Sequence, residues 1–108
     1  AEKLKSHFKK INLVNWGEMP EFDMIINATS IGLKKNDEIN LDFSNIGINK
    51  LFYDVIYNPP ETDFLKKGKD SGNKSINGKM MFIYQAHQAF TIWHKQMPEI
   101  SEEITNIL

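Results

Sequence analysis

Apolar residues recur in two rhythms along this chain. Asp23-Met24-Ile25-Ile26-Asn27-Ala28 and Leu51 to Ile56 are short, nearly continuous apolar runs, the pattern of strands buried on both faces of a parallel sheet. Ile11 to Trp16 predicts a further short strand with Leu13 and Trp16, and Lys74-Ser75-Ile76 a brief edge strand. The second rhythm is helical. Residues 1–10 set Leu4 and Phe8 four apart among lysines, the end of an amphipathic helix whose start is expected upstream. Pro59-Pro60-Glu61-Thr62 opens a short helix carrying Phe64 and Leu65, with Gly68 and Gly72 near its end. From Gly78 to Met97 the stripe Phe82, Ala86, Ala89, Phe90, Trp93 and Met97 keeps helical spacing, and Pro98 is expected to stop it. Glu99 to Leu108 adds a last amphipathic turn or two, while residues 33–50 read as a polar, Asn-rich loop with one helical turn near Leu41 to Ile46. Strands alternating with helices predict a parallel α/β architecture.

Composition narrows the function classes. The chain has 108 residues, enough for one modest core. Its 13 basic and 14 acidic side chains leave a net charge of −1, so no electrostatic argument favours nucleic acid or an anionic membrane. The absence of cysteine removes disulfides and thiolate chemistry and fits a reducing, cytoplasmic compartment. No apolar run reaches the length of a membrane span. His87 and His94 stand seven apart without a third ligand, so packing or solvent exposure is expected rather than metal binding. Asp63, Lys66 and Lys67 read as solvated helix decoration.

The candidate chemistry gathers where strands leave the sheet, the place where open α/β sheets bind ligands. Asn27-Ala28-Thr29-Ser30 offers small side chains that let a flat cofactor approach, and hydroxyls for ribose or phosphate; the same residues also simply turn a chain. Tyr57 can bond a substrate while its ring shields a cofactor, or can pack on the Pro59-Pro60 turn. Gln85 reads either as an amide buried beside the apolar stripe, able to donate to and accept from a polyol, or as an exposed helix glutamine. Gly78 at a helix start either presents N–H groups to a ligand or is a generic cap.

In order and spacing, these phrases resemble the C-terminal part of shikimate dehydrogenase. The resemblance covers almost the whole chain and rests on four stretches. They are Asp23 to Ser30, Tyr53-Asp54-Val55-Ile56-Tyr57-Asn58-Pro59 with Thr62 and Phe64-Leu65, Gly78 through Gln85-Ala86, and Phe90, Trp93 and Pro98. It implies a partial Rossmann-like parallel sheet, strands 3 to 6 of a doubly wound domain, with closing helices at about 78–108 that return to a preceding substrate domain. It implies an NADP-dependent oxidoreductase that reduces 3-dehydroshikimate to shikimate in aromatic amino-acid biosynthesis. By the same resemblance Asn27, Ala28, Thr29 and Ser30 line the cofactor, and Val55, Gly78 and Met81 meet its nicotinamide end. Tyr57 and Gln85 face the substrate. Three departures stand out: Met80 replaces a second glycine, Lys95 a glycine after the tryptophan, and Gly68 the usual alanine.

The family's catalytic lysine and aspartate, substrate-binding serines, glycine-rich turn and phosphate clamp match nothing in these residues. No catalytic residue is therefore assigned here, and the 108-residue chain alone is expected to be inactive. Strands 1 and 2, the centre of the usual order, are expected upstream, which leaves the strand at 11–16 without its neighbour and favours self-association. Two alternatives remain: a quinate/shikimate dehydrogenase using NAD or NADP, and a non-catalytic half-Rossmann binding module.

Overall fold

A computed structural model describes residues 1–107. The elements run α1 (Glu2–His7), β1 (Met24–Asn27), β2 (Leu51–Asp54), α2 (Asp63–Asp70), β3 (Lys74–Ile76), α3 (Lys79–His94) and α4 (Glu102–Ile107). The strands form one parallel sheet in the order β1-β2-β3. Met24 pairs with Leu51 and Asn27 with Asp54, and Leu51 in turn pairs with Lys74. This is the predicted α/β parallel arrangement with one strand fewer. Residues 11–16 form no strand, and Leu13, Val14 and Trp16 lie exposed. A lone extended segment has no ladder to satisfy its backbone, and no strand among the described residues lies beside it.

The core sits on one face of β2. Alternation along that strand sends Phe52 and Asp54 to the buried side and leaves Leu51 and Tyr53 half-buried. Phe52 meets Phe43 edge-on at 5.0 Å and Phe64 at a tilt at 5.1 Å, with Ile39 and Leu65 completing the cluster. Full burial of such a side chain contributes about 1.5–3 kcal/mol. Gly68 of α2 lies directly over the ring: a Cβ there would stand 2.5 Å from Phe52 Cγ. The departure from alanine at this position therefore has a packing cause.

β1 differs from its prediction. It is an outer strand with Met24 and Ile26 exposed, not a strand buried on both faces, because no helix among the described residues covers that side.

The loop between β1 and β2 forms turns but no helix at 41–46. It is nonetheless anchored to the core by Ile39 and Phe43. Asp63 and Lys67, expected to be solvated, clamp Ile39 from both sides. The Ile39 N–H donates to the Asp63 carboxylate at 3.1 Å and the Lys67 ammonium donates to the Ile39 carbonyl at 2.7 Å, with 3.2 Å between the two charged groups. Further along this loop, hydrogen bonds from Ser44 hold the exposed Asp42 carboxyl below its usual range.

Helix boundaries follow their caps. α2 begins after the prolines, because Thr62 is the residue whose hydroxyl accepts from the Leu65 N–H, at 3.3 Å. α3 ends at His94, short of Met97 and Pro98, because Lys95 turns into the left-handed region at φ 52°. Pro98 instead turns the chain back, its carbonyl accepting from His87 Nε2 at 2.8 Å. His94 stacks on Phe90 at 4.4 Å. The predicted apolar stripe is largely open: Ile83 is the buried residue of α3, while Phe90, Trp93 and Met97 are exposed. α4 supplies the expected last amphipathic turns, and Leu108 lies outside the described residues.

Candidate active-site crevice

The carboxyl ends of β1 and β2 lie side by side, since register pairs Asn27 with Asp54 and the Val55 N–H donates to the Asn27 carbonyl at 3.1 Å. Both side chains point inward and are buried. Asn27 Nδ2 donates to the Ile31 carbonyl at 3.0 Å and lies 3.2 and 3.3 Å from the two Asp54 carboxylate oxygens. Asn27 Oδ1 accepts from the Thr29 N–H at 3.1 Å and from the Thr29 hydroxyl at 2.6 Å. Asp54 further accepts from the Ile56 N–H at 3.0 Å and from the Thr62 hydroxyl at 2.6 Å. The buried side chains of Asn27, Asp54 and Thr62 are thus all partnered, as burial requires.

This places the predicted cofactor residues in two roles. The Asn27 side-chain amide is fully engaged inside the fold, and its backbone carbonyl is taken by the Val55 N–H. Thr29 is a turn builder too, because its hydroxyl also accepts from the Ile31 N–H at 3.1 Å. Ala28 and Ser30 are exposed on the outside of this turn. A small-residue rim at the strand ends results, open to solvent and hydrogen-bonded underneath.

The start of α3 stands beside the chain leaving β2. Gly78 packs against the chain leaving β2 so closely that a Cβ would lie 2.0 Å from the Val55 carbonyl oxygen. Its own N–H donates to the Ile56 carbonyl at 3.1 Å, so the hydrogen bond tying the two segments uses the group expected to greet a ligand. The glycine's role here is close approach, with Asn77 Oδ1 capping the helix through the Lys79 N–H at 3.1 Å.

Tyr57 packs on α3. Its ring stacks on Phe82 at 4.8 Å and 28°, joining the end of the β2 segment to α3. Met81 and Gln85 lie one turn apart on α3, and both are exposed. The reading of Gln85 as a buried amide is corrected: the stripe beside it has no cover, so its donor and acceptor groups face outward.

Asp54 and Thr62 are not among the predicted ligand contacts. One signal was available: Asp54 is the single charge inside an otherwise apolar strand, a position that demands partners. Among the described residues no group of His, Asp and Glu is arranged to hold a metal ion, and no helix is long and apolar enough to cross a membrane.

A parallel α/β sheet with a small-residue turn and a glycine-started helix framing its strand ends defines the Rossmann-like class of ligand-binding folds. Within that class, the chain resembles the shikimate dehydrogenases throughout its length. It is 60% identical over 108 residues to the shikimate dehydrogenase (NADP(+)) of Pelagibacter ubique (strain HTCC1062), covering 100% of this chain and 41% of that protein. Among solved structures it is similar to a shikimate dehydrogenase in complex with NADP+, with a TM-score of 0.68 and 41% identity over 78% of this chain and 30% of the other. The ligand-free 5-ketofructose reductase of Gluconobacter sp. strain CHM43 matches with a TM-score of 0.62 and 35% identity, over 71% of this chain and 28% of that one. The chain therefore spans well under half the length of these relatives. No family model matches it.

Proposed function

We propose that these residues form the C-terminal part of the NADP-binding domain of a shikimate dehydrogenase, acting in the cytoplasm on 3-dehydroshikimate and shikimate. The observation that carries the reading is 60% identity across all 108 residues, with the crevice-forming stretches included. The residues present fit a nicotinamide dinucleotide. Ala28 and Ser30 leave a flat surface at the strand ends, and Gly78 lets the α3 start and the Val55 backbone meet without an intervening side chain. When bound, NADPH supplies the hydride.

The residues themselves bind and orient. Val55 and Met81 provide the apolar flank for the nicotinamide. Tyr57, its ring fixed by Phe82, presents a phenol to the substrate. Gln85 presents both donor and acceptor to a substrate hydroxyl, which suits a polyol. Proton transfer belongs to a lysine in the longer polypeptide, so the 108-residue chain alone carries no turnover. In isolation it self-associates through the open β1 edge and the uncovered α3 stripe.

The test is turnover of shikimate by the longer polypeptide, followed through the absorbance of reduced nicotinamide with NADP+ supplied. Gln85→Ala is expected to lower kcat/KM by the equivalent of about 1–3 kcal/mol, the scale of an unpaired group in a closed site. Full activity in that variant overturns its substrate role. The likeness to a 5-ketofructose reductase supports a second reading, reduction of another polyhydroxylated ketone in the same crevice. Turnover on that compound but not on shikimate would select it.

A further inference from the structure

We propose that Asp54 is a positioning residue that locks the cofactor-side and substrate-side loops of the crevice together through Asn27 and Thr62. The inference rests on the reading of the crevice given above. Asp54 is 0% exposed, and neither ion pair among the described residues includes it. A carboxylate in such a place is held by hydrogen bonds alone, and those it has reach three different segments. Through Asn27 it holds the turn at 28–31, whose outer face is the cofactor rim. Through the Ile56 N–H it holds the chain between Val55 and Tyr57. Through Thr62 it holds the start of α2, where the same hydroxyl oxygen also caps the helix.

Gly32 closes the loop mechanically, since a Cβ there would stand 3.0 Å from Thr62 Cγ2. One side chain thus bonds three segments, at 3.2 and 3.3 Å to Asn27, 3.0 Å to the Ile56 N–H and 2.6 Å to the Thr62 hydroxyl, and a displacement of any one of them strains the bonds to the others. An aliphatic residue at position 54 would fill the same space beside Phe52 without tying anything. The choice of a carboxylate makes sense where relative placement of the two loops matters more than burial.

Three variants of the longer polypeptide test this: Asp54→Asn, Thr62→Val and Thr62→Ser. Valine keeps the shape of threonine and removes the hydroxyl, while serine restores it. In Thr62→Val the KM values for NADP+ and shikimate are expected to rise together by roughly fivefold, the scale of one lost hydrogen bond, with kcat falling less. Thr62→Ser returns both towards wild type.

A second readout needs no activity. Amide hydrogen exchange at Thr29 and Ile31, linked to position 62 through Asp54 and Asn27, should quicken in Thr62→Val and recover in Thr62→Ser. A lowered melting temperature with both KM values and both exchange rates unchanged would overturn the proposal, as would a rise in one KM alone. If Asp54→Asn fails to fold, the Thr62 pair decides. If the wild type turns over no shikimate, the functional reading fails and the exchange rates alone judge the coupling: unchanged rates overturn it, and quickened ones uphold it.

Discussion

Phe52 and Trp93 both occupy regular positions in the apolar rhythm of the chain, yet Phe52 is 0% and Trp93 77% exposed. They typify two regions. In the sheet and α2, every large apolar side chain of the buried face meets a second element: Phe52 has Phe43 from the preceding loop, Phe64 from α2 and Gly68 above its ring. In α3 the stripe has the right period but cover on one flank only. Pro98, Ile100 and Ile104 approach Phe82, Ala86 and Phe90, and beyond them Trp93 faces solvent. Periodicity tells which residues share a face; burial needs a second surface to put against it. The polar groups divide the same way, with Asp54, Asn27 and Thr62 enclosed and bonded while Gln85 stands open. One region is an enclosed frame, and the other is an open wall.

The largest test of this contrast is Phe52→Ala, expected to cost about 3–5 kcal/mol through lost burial and the cavity left among Phe43, Phe64 and Leu65. Chemical denaturation of the 108-residue chain measures it. A cost below about 1 kcal/mol, the scale of an ordinary substitution, would place the enclosed region elsewhere. Gly68→Ala comes next. Alanine favours a helix by about 1 kcal/mol over glycine, but the added methyl overlaps the Phe52 ring, and overpacking of this kind costs about 1–3 kcal/mol. Net destabilisation is expected, and a stabilised variant would show that α2 sits further from the sheet.

The frame was more legible in the sequence than the wall. Two apolar runs bounded by turn residues marked β1 and β2 because a buried strand leaves an unbroken signature, and Thr62 before Asp63 and Phe64 carried a capping signal even though the prolines drew the helix start forward. Residues 11–16 form no strand because strand propensity is a preference for a neighbour, and none among the described residues lies beside them. The sequence offers Ala28, Ser30, Val55, Tyr57, Gly78, Met81 and Gln85 as candidate contacts, but not the inward engagement of Asn27 and Thr29. Spacing along a strand shows where a side chain departs, and only the partner on the next strand, Asp54, decides what it bonds.

A smaller effect is expected at Lys95, where the chain leaves α3 with φ 52°. A side chain in that left-handed conformation costs about 1–2 kcal/mol, which glycine does not incur. Glycine gives back part of this through the greater freedom of its unfolded chain, leaving Lys95→Gly stabilised by about 1 kcal/mol or less. The melting temperature reads it. No change would mean that α3 frays before Lys95 and that the wall is looser than its helix implies.

The smallest effect is expected at Trp93 and is the sharpest probe of the contrast. As an exposed side chain in a dilute monomer, Trp93→Ala should change stability by no more than about 0.5 kcal/mol, despite tryptophan being the largest residue of the stripe. Measured again at high protein concentration, the same substitution should become costly if copies of the chain cover one another's stripes, because burial then exists in the wild type and is lost in the variant. Sedimentation of both proteins over the same range separates the cases. Equal masses, with no effect of Trp93→Ala at any concentration, would show that the stripe stays uncovered in this chain. A cost already present in the dilute monomer would instead mean that α3 packs more tightly than the structure shows, and the two regions would differ in degree only.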